Sequence, residues 1–187
     1  MSKHGSSTWK LRYRNYIRSA QTPDEISFVH DEISLPDGRT KDYYFADSPY
    51  RVAMIAAVSE QNEIALIEQY RYLFGEVLLE LPAGSPEGSE TLEEGARREL
   101  LEEAGLIADN MVELGNFYPA VGITNQDVTI FLATGLSGAE QKLDDDEEIT
   151  VHWMNLPEAV KAVNNGSIKN QSAALGILLA ARHLNVG

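Results

Sequence analysis

The chain predicts an α/β fold: a layered domain with a mixed sheet, preceded by N-terminal antiparallel strands. Strand-like and helix-like segments are mixed along the sequence, which suits a layered α/β domain. The 187 residues, 43% of them hydrophobic, suit one domain with a small N-terminal extension and can supply a sizeable core. Residues 91–105 carry both a start signal and a stop signal for a helix.

Residues 9–18, WKLRYRNYIR, alternate Leu11, Tyr13 and Ile17 against basic side chains and read as a strand. Residues 26–34, ISFVHDEIS, are a second strand, and Pro36-Asp37-Gly38 is a turn that pairs it with a third at Lys41 to Ala46. Arg51 to Val58, Glu63 to Arg71 and Glu76 to Leu81 follow as strands, with a turn at Gln61-Asn62 and a stop at Pro82-Ala83-Gly84. Thr91 with Glu94 three residues on is a capping box, and Gly105 suits the left-handed residue that closes a helix. Val112 to Tyr118, Val128 to Thr134 and Ile149 to Trp153 read as strands, Pro157 to Asn164 and Gln171 to Leu184 as helices. The division expected is an N-terminal strand region over 1–47, taken to dimerise, and a main domain over 48–187, with residues 1–7 a disordered lead-in.

There are no cysteines, so disulfides, thiolate metal sites and cysteine nucleophiles are excluded. No apolar run approaches the roughly 18 residues of a membrane span, and the N-terminus lacks the apolar centre of a signal peptide. A cytoplasmic protein without membrane partners is expected. The net charge of −14, from 15 basic and 29 acidic residues, argues against nucleic acid as a partner. A small phosphorylated substrate stays compatible, because metal ions can bridge two sets of negative charge.

Residues 84–106 read GSPEGSETLEEGARRELLEEAGL. At about 100° per residue, Glu99, Glu102 and Glu103 share one sector of the helix while Leu100, Leu101 and Ala104 point elsewhere. Carboxylates three and four apart repel; a hard cation with oxygen ligands would turn that repulsion into binding. Glu99 and Glu103, one turn apart, are the leading metal ligands, with Glu102 beside them, and the fork of Arg98 suits holding a carboxylate in place. The bland alternative is a solvated helix in which Arg97 and Arg98 pair with nearby glutamates.

The spacing Gly84, five residues, Glu90, seven residues, Arg98-Glu99-Leu100, one residue, Glu102-Glu103, one residue, Gly105-Leu106 resembles the Nudix box, with every defining position filled. The resemblance implies an α/β/α sandwich in which the box forms a loop–helix–loop, and a divalent cation, Mg2+ with Mn2+ as a substitute. Glu68-Gln69-Tyr70-Arg71 and Leu79-Glu80-Leu81-Pro82-Ala83-Gly84 are similar to the branch that hydrolyses ADP-ribose and other nucleoside diphosphate sugars. That branch implies the carbonyl of Ala83 as a further metal ligand, and Arg71 and Glu80 near the diphosphate and the sugar or base. It also implies a late-loop acid as base or metal ligand, at Asp145 or Glu147, with Glu148 able to substitute. Asp145 is a methylene shorter than the glutamate common there, and Val121 stands where the branch places proline before Gly122.

His30, His152 and His183 are too scattered for a metal signature, and Trp153 is expected in the core. Trp9, Tyr13 and Phe28 offer faces that could stack on a base, with core or dimer packing the alternative; Phe28 is the candidate substrate contact. The expectation is a Mg2+-dependent hydrolase of a nucleoside diphosphate sugar, acting as a homodimer. Its catalytic residues would be Glu102, Asp145, Glu147 and Arg98, its metal ligands Ala83, Glu99, Glu103 and Glu147. The alternatives are a hydrolase of GDP-sugars or dinucleoside polyphosphates, and a non-catalytic nucleotide-binding regulator.

Overall fold

The computed structural model describes residues 9–18, 26–49, 51–143 and 147–186; the expected lead-in at 1–7 and Asp145 lie outside them. The chain divides into two compact units, Met1–Tyr50 with Ala120–Gln126, and Arg51–Pro119 with Asp127–Gly187.

The first unit is a three-stranded antiparallel sheet of β1 (Lys10–Arg18), β2 (Ser27–Ser34) and β3 (Thr40–Asp47), in that order. Alternation places Val29 and Asp31 on a buried face and Phe28 on an exposed one. Asp31 accepts two hydrogen bonds from Arg14, at 2.8 and 2.7 Å, across the β1–β2 pair. The segment 120–126 joins this unit through a parallel bridge from Thr124 to Ala46 and a hydrogen bond from the Ser48 N–H to the Asn125 side chain.

The second unit has two sheets. One has the order β7-β4-β9-β8, from β4 (Arg51–Ala57), β7 (Ala83–Gly84), β8 (Leu106–Phe117) and β9 (Asp127–Gly138). Its β4–β9 pair is parallel and the others antiparallel, so the sheet is mixed. The other has the order β10-β5-β6, from β5 (Glu63–Arg71), β6 (Glu76–Glu80) and β10 (Ile149–Asn155), all antiparallel. Between them runs α1 (Leu92–Ala104), with α2 (Leu156–Asn164) and α3 (Gln171–Leu184) closing the chain. After the exposed Arg51, β4 is apolar, and from Ala53 to Ala57 it is buried on both faces. Met54, Ala56 and Val58 face a cluster with Leu156 and Ile177 of α2 and α3. Ala53, Ile55 and Ala57 face a second cluster with Ala96 and Leu100 of α1. Helices thus cover both faces, the α/β/α sandwich expected.

Three readings need correction. β8 begins at Leu106 and not near Val112, because residues 106–111 pair with 133–138 of an equally extended β9; Ala108, Asp109 and Asn110 have weak strand propensity, and the ladder overrides it. Ala83–Gly84 forms a short strand on β4. Trp153 is 43% exposed, because it stands toward the far end of β10, a strand in which only Ile149 is buried. Among the described residues, no helix is long and apolar enough to cross a membrane.

Candidate active site

α1 is fixed at both ends by its own sequence. Thr91 accepts from the Glu94 N–H while the Glu94 carboxylate accepts from the Thr91 N–H, closing a capping box. Gly105 stops the helix at φ 63°, where its N–H meets the carbonyls of Leu100 and Leu101. Leu100 is 1% exposed and anchors the apolar face. Glu103, three positions later, lies at the rim of that face and is 4% exposed. A solvated helix face would not bury this carboxylate.

Glu103 Oε2 accepts a 2.7 Å hydrogen bond from the Ala83 N–H, which ties α1 to the strand before it. Burial pushes the Glu103 carboxyl up to about 8; the Ala83 N–H opposes the rise, and the charges of Glu99 and Glu147 add to it. Glu99 is raised in the same way, first by burial, with Arg98 opposing and Glu102 and Glu147 adding. Its carboxylate lies against the backbone of Gly84, where a Cβ would stand 1.9 Å from Glu99 Oε1. Glycine at 84 is therefore a matter of close approach.

Arg98 organises the acidic face. Its Nη1 donates to Glu102 at 2.7 Å and to Glu99 at 3.0 Å, its Nε to Glu90 at 3.2 Å, and its Nη2 to the Ser85 carbonyl at 2.7 Å. Arg97 points elsewhere, bonding Glu93 one turn back and the Ala108 carbonyl.

Across the β5–β6 hairpin, Arg71 grips the buried Glu80 bidentately, at 2.9 and 2.7 Å. The grip raises the guanidinium above its ordinary range, and the negative charges of Glu103 and Glu147 add to the rise. The pair opens on a cleft of about 650 Å³ that also includes Phe74, Leu78, Lys169 and Gln171. The late loop is tied to the end of α1: the Ala139 N–H donates to the Gly105 carbonyl, the Lys142 N–H to that of Glu102, and the Gln141 amide to that of Glu103. Glu147 follows on this loop, two residues before β10.

The structure thus brings Arg71, Glu80, Ala83, Arg98, Glu99, Glu102, Glu103 and Glu147 into one region of the second unit, linked by hydrogen bonds and mutual fields. Phe28 stands on β2 of the first unit, 52% exposed. The pinning of the late loop by Gln141 and Lys142 was not anticipated; it runs through backbone acceptors, which leave no residue pattern. Among the described residues, no group of three or more His, Asp or Glu side chains converges closely enough to hold a metal ion as it stands. The donors nonetheless suit one. They are all oxygens, and Glu99 and Glu103 are desolvated carboxylates whose charged forms a nearby cation would favour.

Residues 49–174 match the family described as NUDIX domain. The chain is 32% identical over 154 residues to the ADP-ribose pyrophosphatase of Bacillus subtilis (strain 168), covering 81% of this chain and 83% of that one. It is 31% identical over 149 residues to the methanol dehydrogenase activator of Bacillus methanolicus, covering 79% and 80%. To the ADP-ribose pyrophosphatase of Mycobacterium tuberculosis it is 32% identical over 151 residues, covering 79% and 72%. In fold it matches a solved ADP compounds hydrolase with a TM-score of 0.84, over 95% of this chain and 94% of that one, at 16% identity.

Proposed function

Because the chain belongs to the Nudix hydrolase family, we propose that it is a Mg2+-dependent diphosphatase of nucleoside diphosphate sugars of the ADP-ribose type. It would release a nucleoside monophosphate and a sugar phosphate. The observation that carries the reading is Glu103, a buried carboxylate held by the Ala83 N–H within the fields of Glu99 and Glu147. Relatives described as ADP-ribose pyrophosphatases support the substrate class.

Glu99, Glu103, Glu147 and the Ala83 carbonyl would hold Mg2+, with Mn2+ as a substitute. When bound, the cation neutralises charge on the diphosphate and lowers the pKa of water. Arg98 holds Glu99 and Glu102 in place, and Glu90 and the Ser85 carbonyl hold Arg98. Arg71, steadied by Glu80, offers positive charge to the diphosphate on the side of the cleft. An acid of the late loop, Glu147 or Asp145, takes the proton from the water that attacks phosphorus as the bridging P–O bond breaks. We further propose a homodimer built through the N-terminal sheet, where Leu11, Tyr13, Tyr16, Ile17 and Tyr44 are exposed.

A second reading is a regulator of a partner enzyme, favoured by the similarity to the methanol dehydrogenase activator. A panel of ADP-ribose, ADP-glucose, GDP-mannose and diadenosine polyphosphates, with products identified by chromatography, separates the two. Mg2+-dependent formation of AMP and ribose 5-phosphate from ADP-ribose is the result expected. Nucleotide binding without turnover of any compound would favour the regulator.

A further inference from the structure

Among the described residues, the side-chain oxygen of Gln69 is the one buried polar side-chain atom without a hydrogen-bond partner. Such an atom costs folding free energy, because the water it leaves is not replaced. Its place in the fold is specific. Side chains alternate along β5, and Ala65 packs in the apolar cluster beneath α1, so Ile67, Gln69 and Arg71 continue along that same face. Gln69 pairs in register with Leu78 of β6 and with Ile149 of β10. Leu78 lines the cleft that Arg71 and Glu80 open on, and Ile149 follows Glu147 by two residues. Gln69 thus lies between Leu78 and Ile149, one step along β5 from Arg71 on the same face, and the β5–β10 register continues toward Glu147 opposite Arg71.

We propose that Gln69 is a direct contact residue of this site, whose side-chain carbonyl accepts a hydrogen bond from a neutral hydroxyl-type donor during turnover. The inference rests on the hydrolase reading above. The chemistry of the donor follows from that of the acceptor. A carbonyl oxygen accepts a hydrogen bond and donates none, so the ionised oxygens of a diphosphate cannot be its partner. A ribose hydroxyl of the substrate can, and so can the water that attacks phosphorus. The folding cost is offset only in the occupied site, which accounts for an amide where leucine or methionine would be more stable in the empty protein.

The test replaces Gln69 with methionine, of similar length and without the acceptor, and measures melting temperature and steady-state turnover of ADP-ribose in Mg2+. Removing the buried, unpartnered carbonyl oxygen is expected to raise Tm by roughly 2–4 °C. Losing the hydrogen bond is expected to lower kcat/KM about tenfold. A loss carried by KM assigns the donor to the substrate hydroxyl, and one carried by kcat assigns it to the attacking water. An unchanged kcat/KM overturns the proposal, and so does a parallel fall of Tm and activity, which marks a structural amide. If Gln69→Met does not fold, Gln69→Leu is read by the same criteria. A wild-type enzyme inert toward every nucleoside diphosphate sugar removes the hydrolase reading and this inference together; an active wild type with an unaffected variant removes this inference alone.

Discussion

Glu103 and Gly84 define the site at the level of single residues. The Glu99 carboxylate occupies the space a Cβ at 84 would fill, at 1.9 Å. Gly84→Ala therefore forces Glu99 to swing away, and because a carboxylate end is flexible, the fold tolerates it. Melting temperature is expected to move by no more than a few degrees, while kcat falls about a hundredfold, the scale of misplacing a reacting group by an ångström. A variant with wild-type kcat would show that the Glu99 position is immaterial. Glu147→Gln is expected to lower kcat more than it raises KM, since a group that receives a proton acts mainly in the transition state; steady-state kinetics in saturating Mg2+ check it. The box carboxylates were legible in the sequence because helix geometry alone puts Glu99, Glu102 and Glu103 in one sector. What Arg71 does was less legible. Its grip on Glu80, nine residues away, depends on the hairpin between β5 and β6 and decides that this guanidinium is a buttressed charge, not a loose one.

At the scale of elements, the chemistry of turns and caps was the most readable. Thr91, Glu94 and Gly105 mark the ends of α1 because each meets a backbone need found only at a helix terminus. The start of β8 was unreadable from residues 106–111, since only the partner β9 makes them a strand. The β1–β2 pair carries a prediction of its own. Arg14 holds the Asp31 carboxyl below its usual range by a bidentate hydrogen bond, against the opposing effect of burial. A folded pKa below the unfolded one contributes stability that is present above the unfolded value, near 3.8, and lost as pH falls through the folded one. Thermal melts from pH 6 to pH 2 should therefore show an acid loss that Arg14→Met shrinks, at the expense of a lower Tm at pH 6. An identical acid profile in the two proteins would show that the pair contributes nothing.

At the scale of the whole molecule, the sequence could not show that residues 120–126 belong with the N-terminal strands, because Thr124 meets Ala46 across nearly eighty positions of chain. It did show an amphipathic, aromatic N-terminal segment, and the structure leaves Tyr13, Tyr16, Ile17, Phe28 and Tyr44 about half exposed or more. Analytical ultracentrifugation is expected to give a homodimer at assay concentration, dissociated by Tyr13→Glu combined with Ile17→Glu; a fully active monomer would contradict this. The net charge of −14 makes a cation the natural mediator between this protein and a diphosphate. The most direct test of that idea is the initial rate of AMP formation from ADP-ribose as Mg2+ is titrated from a chelated baseline, for the wild type and for Glu103→Gln. The account predicts no turnover at the baseline, saturable activation of the wild type, and a variant that stays folded yet slower by at least about a hundredfold at saturating Mg2+. Equal rates with and without Mg2+, or a variant as fast as the wild type, would contradict it.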